Sequence, residues 1–263
     1  MFCFNNFRCM LGQQKKGVQF GGDIILQSLK IKIFNNLNIT KHLDYKKGYN
    51  LVNKNLKKKL FNINFGGDHS IAVSTIQPML NYYKKDLLVI WIDAHADINT
   101  YNSSTTKNKH GMPLSALTGQ MENWYPVKQN NYTLPYNNLI YIGIRDLDSY
   151  EEKIINENNI VSFPTCCGKY NKHIINTIQQ HPAKYIHISC DIDSMDPSIM
   201  PSTGTPVING LSVTNVCNII KLCKPRLVSF DLVEFNPFIG SITDVQKTLS
   251  NINKIITCLK KCN

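Results

Sequence analysis

The sequence predicts a single-domain α/β fold: a three-layer sandwich whose central, mostly parallel sheet carries helices on both faces. Three observations lead there. The run LLVIWI at 87–92 is apolar at every position, and YIHIS at 185–189 and LVSFDL at 227–232 are nearly so; strands without polar alternation belong to sheets covered on both sides. Between such runs the apolar spacing becomes helical, so strands and helices alternate along the chain. Acidic residues or histidines follow the runs, at the carboxyl ends of strands, where open parallel sheets gather ligands.

From the amino terminus, FNNFRCML at 4–11 reads as a weak first strand and GQQKKGVQFGG at 12–22 as a glycine-rich loop. NKNLKKKLF at 53–61 has helical apolar spacing with lysines between, the pattern of a solvated helix face, and LFNINF at 60–65 is a strand ending in a glycine turn. A helix runs from Ser70 to Tyr83 with a kink at Pro78. A short helix after His110 stops at Gly119, and 122–138 is a polar loop. LIYIGIR at 139–145 is a strand, and DLDSYEEKIINENN at 146–159 is a helix with acids in its first turn, as the helix dipole favours. IVSF at 160–163, a helix near 169–180, YIHIS, a helix from Ser212 to Cys223 and LVSFDL complete the alternation. Thr243 and Gln246 are expected to form a capping box for a last helix reaching nearly to Asn263. No repeat, linker or second domain interrupts residues 1–263, of which 1–60 form a reduced and atypical part.

At 263 residues and 43% hydrophobic the chain is long enough for one large core. Its longest apolar run falls far short of the ~18 residues of a membrane helix, so no membrane partner is expected. The net charge of +11 raises the question of nucleic acid, but no nucleic-acid motif accompanies the lysines, and the abundant Asn and Lys read as coding bias. Nine scattered cysteines, with Cys166 and Cys167 adjacent and no CxxC pair, suit reduced thiols in a cytoplasmic protein better than a disulfide frame or a zinc site. The first twenty residues are basic and free of acids, like a mitochondrial targeting segment, but an ordinary strand and turn is the preferred reading.

Asp93, His95 and Asp97 follow LLVIWI at every second position. On an extended strand they would project to one side, roughly 6 to 7 Å per step. Such a trio beside a dry core leaves uncompensated charge unless a metal neutralises it. Asp191 and Asp193 repeat the arrangement after YIHIS, and His69 follows LFNINF through its glycine turn. Taken singly, each is an ordinary turn or capping residue; three clusters, each behind an apolar strand, point to one shared site. Four Asp balance two divalent ions, and an oxygen-rich set with one imidazole per ion suits Mn²⁺.

The motifs GGDHS at 66–70, DAHADIN at 93–99, HG at 110–111, IGIRDLD at 142–148, DIDSMDP at 191–197, GTPVINGLS at 204–212 and DLVEFNP at 231–237 give the chain, from about residue 60 onward, a resemblance to the arginase and agmatinase superfamily of ureohydrolases, most closely its arginase branch. The resemblance implies two Mn²⁺ per subunit, one held by His69, Asp93, Asp97 and Asp191 and the other by Asp93, His95, Asp191 and Asp193. It implies hydrolysis of L-arginine to L-ornithine and urea by a hydroxide between the ions that Asp97 orients. His110 would protonate the leaving amine and Glu234 would pair with the guanidinium, a planar fork that suits a carboxylate. Asn99, Thr106 and Asn108 would contact the α-carboxylate, Asp148 and Glu151 the α-amino group, and Thr205 would line the substrate pocket.

Some positions depart from the family pattern. Thr106 stands where serine is usual, Lys107 and Lys109 where glycine and an apolar residue are more familiar, and Asn209 where glycine is. Lysines at the mouth would hold a carboxylate or repel a dication. GTPV, rather than GTPEPGG, favours arginase; the alternative is an agmatinase or another guanidino-hydrolase. A metal-poor pseudoenzyme acting as an assembly partner is a third reading, against which every ligand and acid/base group is present. The resemblance further implies a homo-oligomer, a trimer or hexamer, without the contacts that some members make through a longer carboxyl-terminal tail.

Overall fold

Apolar runs without polar alternation become the inner strands of one parallel sheet. The computed structural model describes residues 1–31, 35–121, 124, 132–164 and 170–261. Among these, the strands are β1 (Phe2–Cys9), β2 (Asn35–Ile39), β3 (Phe61–Phe65), β4 (Leu87–Ile92), β5 (Leu139–Ile142), β6 (Val161–Phe163), β7 (Tyr185–Asp191) and β8 (Leu227–Val233). They lie in the order β2-β1-β3-β8-β7-β4-β5-β6, and every pairing is parallel. The helices are α1 (Gly21–Ser28), α2 (Tyr45–Lys57), α3 (Ala72–Thr75), α4 (Gln77–Tyr83), α5 (Pro113–Leu117), α6 (Ser149–Glu157), α7 (Tyr170–Gln180), α8 (Val213–Cys223) and α9 (Ile242–Lys261).

The two sides of β4 show why its sequence has no polar position. Leu88, Ile90 and Ile92 enter a core shared with Ile25, Ile220 and Ile256 of α1, α8 and α9. Leu87, Val89 and Trp91 enter a second core with Val52, Ala72 and Leu117 of α2, α3 and α5. Successive side chains of a strand point to opposite faces, so a strand between two helical layers is apolar throughout. The three layers of the predicted sandwich are the sheet and the helices on its two faces, with one core on each side of the sheet.

Three local features differ from expectation. The five-residue strand NNLNI (β2) was not anticipated, because three asparagines are poor strand formers; it pairs with β1, placing Asn35 beside Asn5. The helix expected over 70–83 breaks at Ile76 into α3 and α4, behind a 3-10 turn at His69–Ile71. Pro78 lies in the first turn of α4, where its missing N–H needs no partner. The cap of α9 is Ser241 with Asp244, not Thr243 with Gln246: Ser241 N donates to Asp244 Oδ2 at 2.9 Å and Asp244 N to Ser241 Oγ at 3.2 Å. Most of the loop expected at 122–138, together with Cys166 and Cys167, lies outside the described residues.

Candidate active site

The site forms where β3, β4, β7 and β8 end. β4 stops at Ile92, so the Asp93, His95 and Asp97 trio is not spaced by strand alternation as the sequence suggested. The chain leaves the sheet after Asp93, and Asp97 adopts a left-handed φ of 51°. Asp191 is the last residue of β7, and Asp193 sits in the 3-10 turn Ile192–Ser194, donating its N–H to Asp191 Oδ1 at 2.9 Å. His69 opens its own turn behind Gly66 and Gly67. A Cβ on Gly67 would overlap the Cys9 carbonyl, so only glycine lets β3 pass β1 this closely.

These turns bring all six predicted ligands together. His69 Nδ1 lies 3.0 Å from Asp93 Oδ2, 3.1 Å from Asp97 Oδ2 and 3.4 Å from Asp191 Oδ2. His95 Nδ1 lies 3.2 Å from Asp193 Oδ2 and 3.5 Å from Asp93 Oδ1. Two groups able to hold a metal ion result, His69 with Asp93 and Asp97, and Asp93 with His95 and Asp193. Asp93 belongs to both, and Asp191 borders the first through His69.

The His69 ring is fixed from behind. It stacks on Trp91 with centroids 4.0 Å apart and 7° between planes, and its Nε2 meets Ser189 Oγ at 2.8 Å. Nδ1 is buried among the carboxylates at ion-pair distance, yet no hydrogen bond reaches it with acceptable alignment. With a metal ion bound, Nε2 would carry the proton toward Ser189 and Nδ1 would present its lone pair to the ion; without one, the facing carboxylates favour a proton on Nδ1 as well. An imidazole lone pair among carboxylates is the donor set a cation requires.

Electrostatics say the same. Burial, then the charge of Asp93, pushes Asp97 up to about 6, and burial with neighbouring carboxylates raises Asp191 and Asp193. Burial also opposes ionisation of Asp93, but His69 and His95 more than offset it and hold that carboxyl below its usual range. Burial alone would lower both histidines; the facing carboxylates raise them instead. Four acids sharing a volume this small repel one another until cations enter.

His110 and Glu234, read from the sequence as separate actors, are joined. His110 Nδ1 lies 3.1 Å from Glu234 Oε1, which also accepts from His69 N at 2.8 Å, while Gln13 Nε2 donates to Glu234 Oε2 at 2.6 Å. Burial lowers the His110 pKa, but the Glu234 hydrogen bond and charge raise it to about 9. Glu234 is only 1% exposed and lies behind His110 rather than on the cavity wall, so its contact here is to the imidazole and not to an open subsite.

A cavity of about 270 Å³ opens beside the cluster, lined by His95, Asp97, Asp191 and Asp193 and by the predicted substrate residues Asn99, Thr106, Asn108, Asp148, Glu151 and Thr205. Several of these already have partners. Asn99 Nδ2 donates to Asp148 Oδ2 at 2.6 Å, and Asp148 Oδ1 caps α6 by accepting from Tyr150 N and Glu151 N. Thr205 Oγ1 donates to Asp193 Oδ2 at 2.8 Å, so it also positions a metal-cluster carboxylate. Burial, followed by Asp97 and Asp148, pushes Glu151 up to about 8. Lys107 and Lys109 do not line the cavity: Lys107 Nζ donates to the Tyr101 carbonyl, and Lys109 Nζ lies 5.9 Å from the Tyr101 and Trp124 rings.

Sequence reasoning missed several supporting residues. Gln13 sits in the early glycine-rich loop, which Gly12 ties to the site through Asp68 Oδ2 at 2.9 Å and His110 N at 3.1 Å. Arg145 threads under the cavity, its guanidinium donating to the carbonyls of Gly143, Asp193, Ser194, Val207 and Ile208 and so pinning three loops together. Asp146 Oδ2 lies 3.5 Å from His95 Nε2. Arg145 and Asp146 stood inside a recognised motif; Trp91 and Ser189 were hidden because inside a strand they read as core.

A parallel α/β sheet with an Asp/His cluster able to hold metal at its carboxyl edge, opening on a polar cavity, defines a class of metal-site protein. The particular group follows from comparison. The sequence model of the Arginase family matches residues 7–259, and the chain belongs to that family. It is 37% identical over 211 residues to an arginase of Neurospora crassa, a match covering 74% of this chain but only 58% of that relative's length. The crystal structure of arginase from Bacillus subtilis superimposes with a TM-score of 0.84 at 28% identity, covering 97% of both chains. That of Entamoeba histolytica arginase in complex with L-ornithine gives 0.83 at 27%, covering 98% of this chain and 97% of that one.

Proposed function

We propose that this chain is a manganese-dependent arginase that hydrolyses L-arginine to L-ornithine and urea. The observation that carries the reading is His69 Nδ1, buried, without a hydrogen bond, and facing Asp93, Asp97 and Asp191 within 3.4 Å. His69, Asp93, His95, Asp97, Asp191 and Asp193 would hold two divalent cations, and oxygen-rich coordination with one imidazole each favours Mn²⁺. When bound, such ions supply the Lewis acidity that makes a water acidic enough to attack near neutral pH.

The chain's own residues do the rest. His110 shares its Nδ1 proton with Glu234, and with its pKa near 9 it carries a second proton, on Nε2, for the leaving amine. Glu234 holds that charge, and it would meet the guanidinium directly only if the substrate displaced Gln13 from Glu234 Oε2. At the far end of the cavity Asp148 suits an ammonium, whose charge would also favour ionisation of the neighbouring Glu151. Asn99, Thr106 and Asn108 would read the α-carboxylate, Asn99 and Thr106 by exchanging their present partners Asp148 and Asn108 N. The L-ornithine complex of the Entamoeba relative supports a ligand of this shape. The same reading takes the protein to be a cytoplasmic homo-oligomer.

The test is urea release from arginine and from agmatine after Mn²⁺ loading, with metal analysis of the same sample. About two Mn²⁺ per chain and a strong preference for arginine are expected. Equal turnover of agmatine would make it a broader guanidino-hydrolase, and a protein that takes up little Mn²⁺ and releases no urea would be the metal-poor pseudoenzyme.

A further inference from the structure

On the sheet face away from α2, helices α8 and α9 pack together and leave a groove of about 630 Å³ along their junction. Cys217 and Cys258 both line it, and Cys258 Sγ donates to the Cys217 carbonyl at 3.6 Å. Among the described cysteines these two thiols are partly exposed, whereas Cys3, Cys9, Cys190 and Cys223 are buried. Burial raises the thiols of all four buried cysteines, that of Cys223 to about 12, so they stay protonated and unreactive. The groove is also cationic: Lys221, Lys224 and Lys254 line it, with no Asp or Glu among the described lining residues, and Asn251 Oδ1 holds the Lys254 ammonium at 2.9 Å. Nothing in the metal cluster or its cavity involves these residues.

We propose that this groove is a thiol–disulfide exchange site for anionic disulfides of the oxidised-glutathione class. Its volume suits a small peptide, and three ammonium groups beside two thiols complement a disulfide flanked by carboxylates. A thiolate of the pair attacks one sulfur of the reagent, whose S–S bond breaks, and the departing half leaves as a thiolate that takes up a proton. The second cysteine then attacks the protein sulfur of the mixed disulfide, expels the other half as a thiol and leaves a Cys217–Cys258 bond joining α8 to α9. Two protein thiols are oxidised and one reagent disulfide is reduced, so no other oxidant is required.

The experiment exposes the Mn²⁺-loaded protein to oxidised glutathione or to cystamine, a cationic disulfide, at low and high salt, and locates the products by peptide mass spectrometry. Expected are products at Cys217 and Cys258, formed about tenfold or more faster from the anionic reagent at low salt, with the advantage shrinking as salt rises. Replacing Lys221 and Lys254 together by Gln should remove that advantage while thermal stability is unchanged. Cys258→Ser should stop the reaction at a mixed disulfide on Cys217. Equal rates for the two reagents, modification confined to other cysteines, or a wild-type protein that never forms the Cys217–Cys258 bond would each overturn the proposal.

Discussion

Two buried polar clusters share this sheet, and only one of them is at rest. Across β2, β1, β3 and β8 runs a ladder in strand register, with Asn35 beside Asn5, Asn5 beside Asn64, and Asn64 beside Asp231. Asn35 Nδ2 donates to Asn5 Oδ1 at 2.9 Å, Asn5 Nδ2 to Asn64 Oδ1 at 2.7 Å, and Asn64 Nδ2 to Asp231 Oδ1 at 2.6 Å, while Thr75 Oγ1 closes the row on Asp231 Oδ2. Donors and acceptors match along the row itself, although His187, 3.3 Å from Asp231 Oδ2 beside it, has no aligned hydrogen bond at either ring nitrogen. At the carboxyl ends of the neighbouring strands, four carboxylates crowd two imidazoles and one ring nitrogen has no hydrogen bond. A satisfied polar cluster specifies structure; an unsatisfied one persists because a ligand completes it.

The largest expected effect separates the two clusters by opposite signs. Asp191→Asn should weaken Mn²⁺ binding and cut arginine turnover by on the order of 10³-fold, since a metal ion supplies several kcal/mol of transition-state stabilisation. In metal-free protein near neutral pH the same substitution should raise Tm, because burial and the charges of Asp193 and Asp93 make ionised Asp191 unfavourable there. A metal-free variant less stable than wild type would sink the idea that the cluster is frustrated. Asn64→Ala should do the reverse. It strips a donor from buried Asp231 and an acceptor from Asn5, at a cost of about 1 to 3 kcal/mol, or very roughly 2 to 10 °C in Tm at this size. Mn²⁺ content and kcat/KM of the folded fraction should not change.

The pH dependence of stability comes next in size. Asp97, raised to about 6, and Glu151, raised to about 8, hold their protons more tightly folded than unfolded. Their contribution is complete below the unfolded carboxylate range near ~4 and is lost as pH rises through those values. His110, raised to about 9, acts in the same direction: its pairing with Glu234 counts fully below the unfolded value of ~6.5 and is lost as pH climbs through the folded one. All three slopes have one sign. Thermal melts in chelator should therefore fall from roughly pH 5 to roughly pH 9, and Mn²⁺ should flatten the curve by neutralising the carboxylates. A chelated protein that became more stable toward the alkaline end would contradict these assignments.

How much of this was legible in the sequence follows from what each residue type signals. The strands β4 and β5 announce themselves through continuous apolarity, and the six candidate ligands through their position behind apolar runs. The asparagine ladder was illegible because Asn in a strand looks like loop or composition bias; its meaning lies in partners up to 167 residues away. Trp91 and Ser189 were hidden for the converse reason, lying inside strands where core was expected. Pairing His110 with Glu234, and turning Asp97 into a left-handed conformation, required backbone paths that no spacing encodes. At α9, Ser241 with Asp244 and Thr243 with Gln246 are overlapping matches to one capping pattern, and only the observed helix start at Ile242 chooses between them.

The smallest effect concerns Lys107, where the resemblance expected glycine. Its φ is 59°, and a side chain in that left-handed region costs about 1 kcal/mol that glycine does not incur. Glycine in turn loses more freedom on folding, and the Lys107 ammonium gives up its contact with the Tyr101 carbonyl, which is worth little at an exposed position. Lys107→Gly should therefore raise stability by about 0.5 kcal/mol, roughly 1 to 2 °C in Tm. The more informative readout is kinetic. Because Lys107 points its charge at Tyr101 and does not line the cavity, the KM for arginine and the ratio of arginine to agmatine turnover should stay as in wild type. A rise in KM confined to arginine would show that the ammonium swings inward to meet the substrate carboxylate, and would restore to this lysine the recognition role that its position in the sequence first suggested.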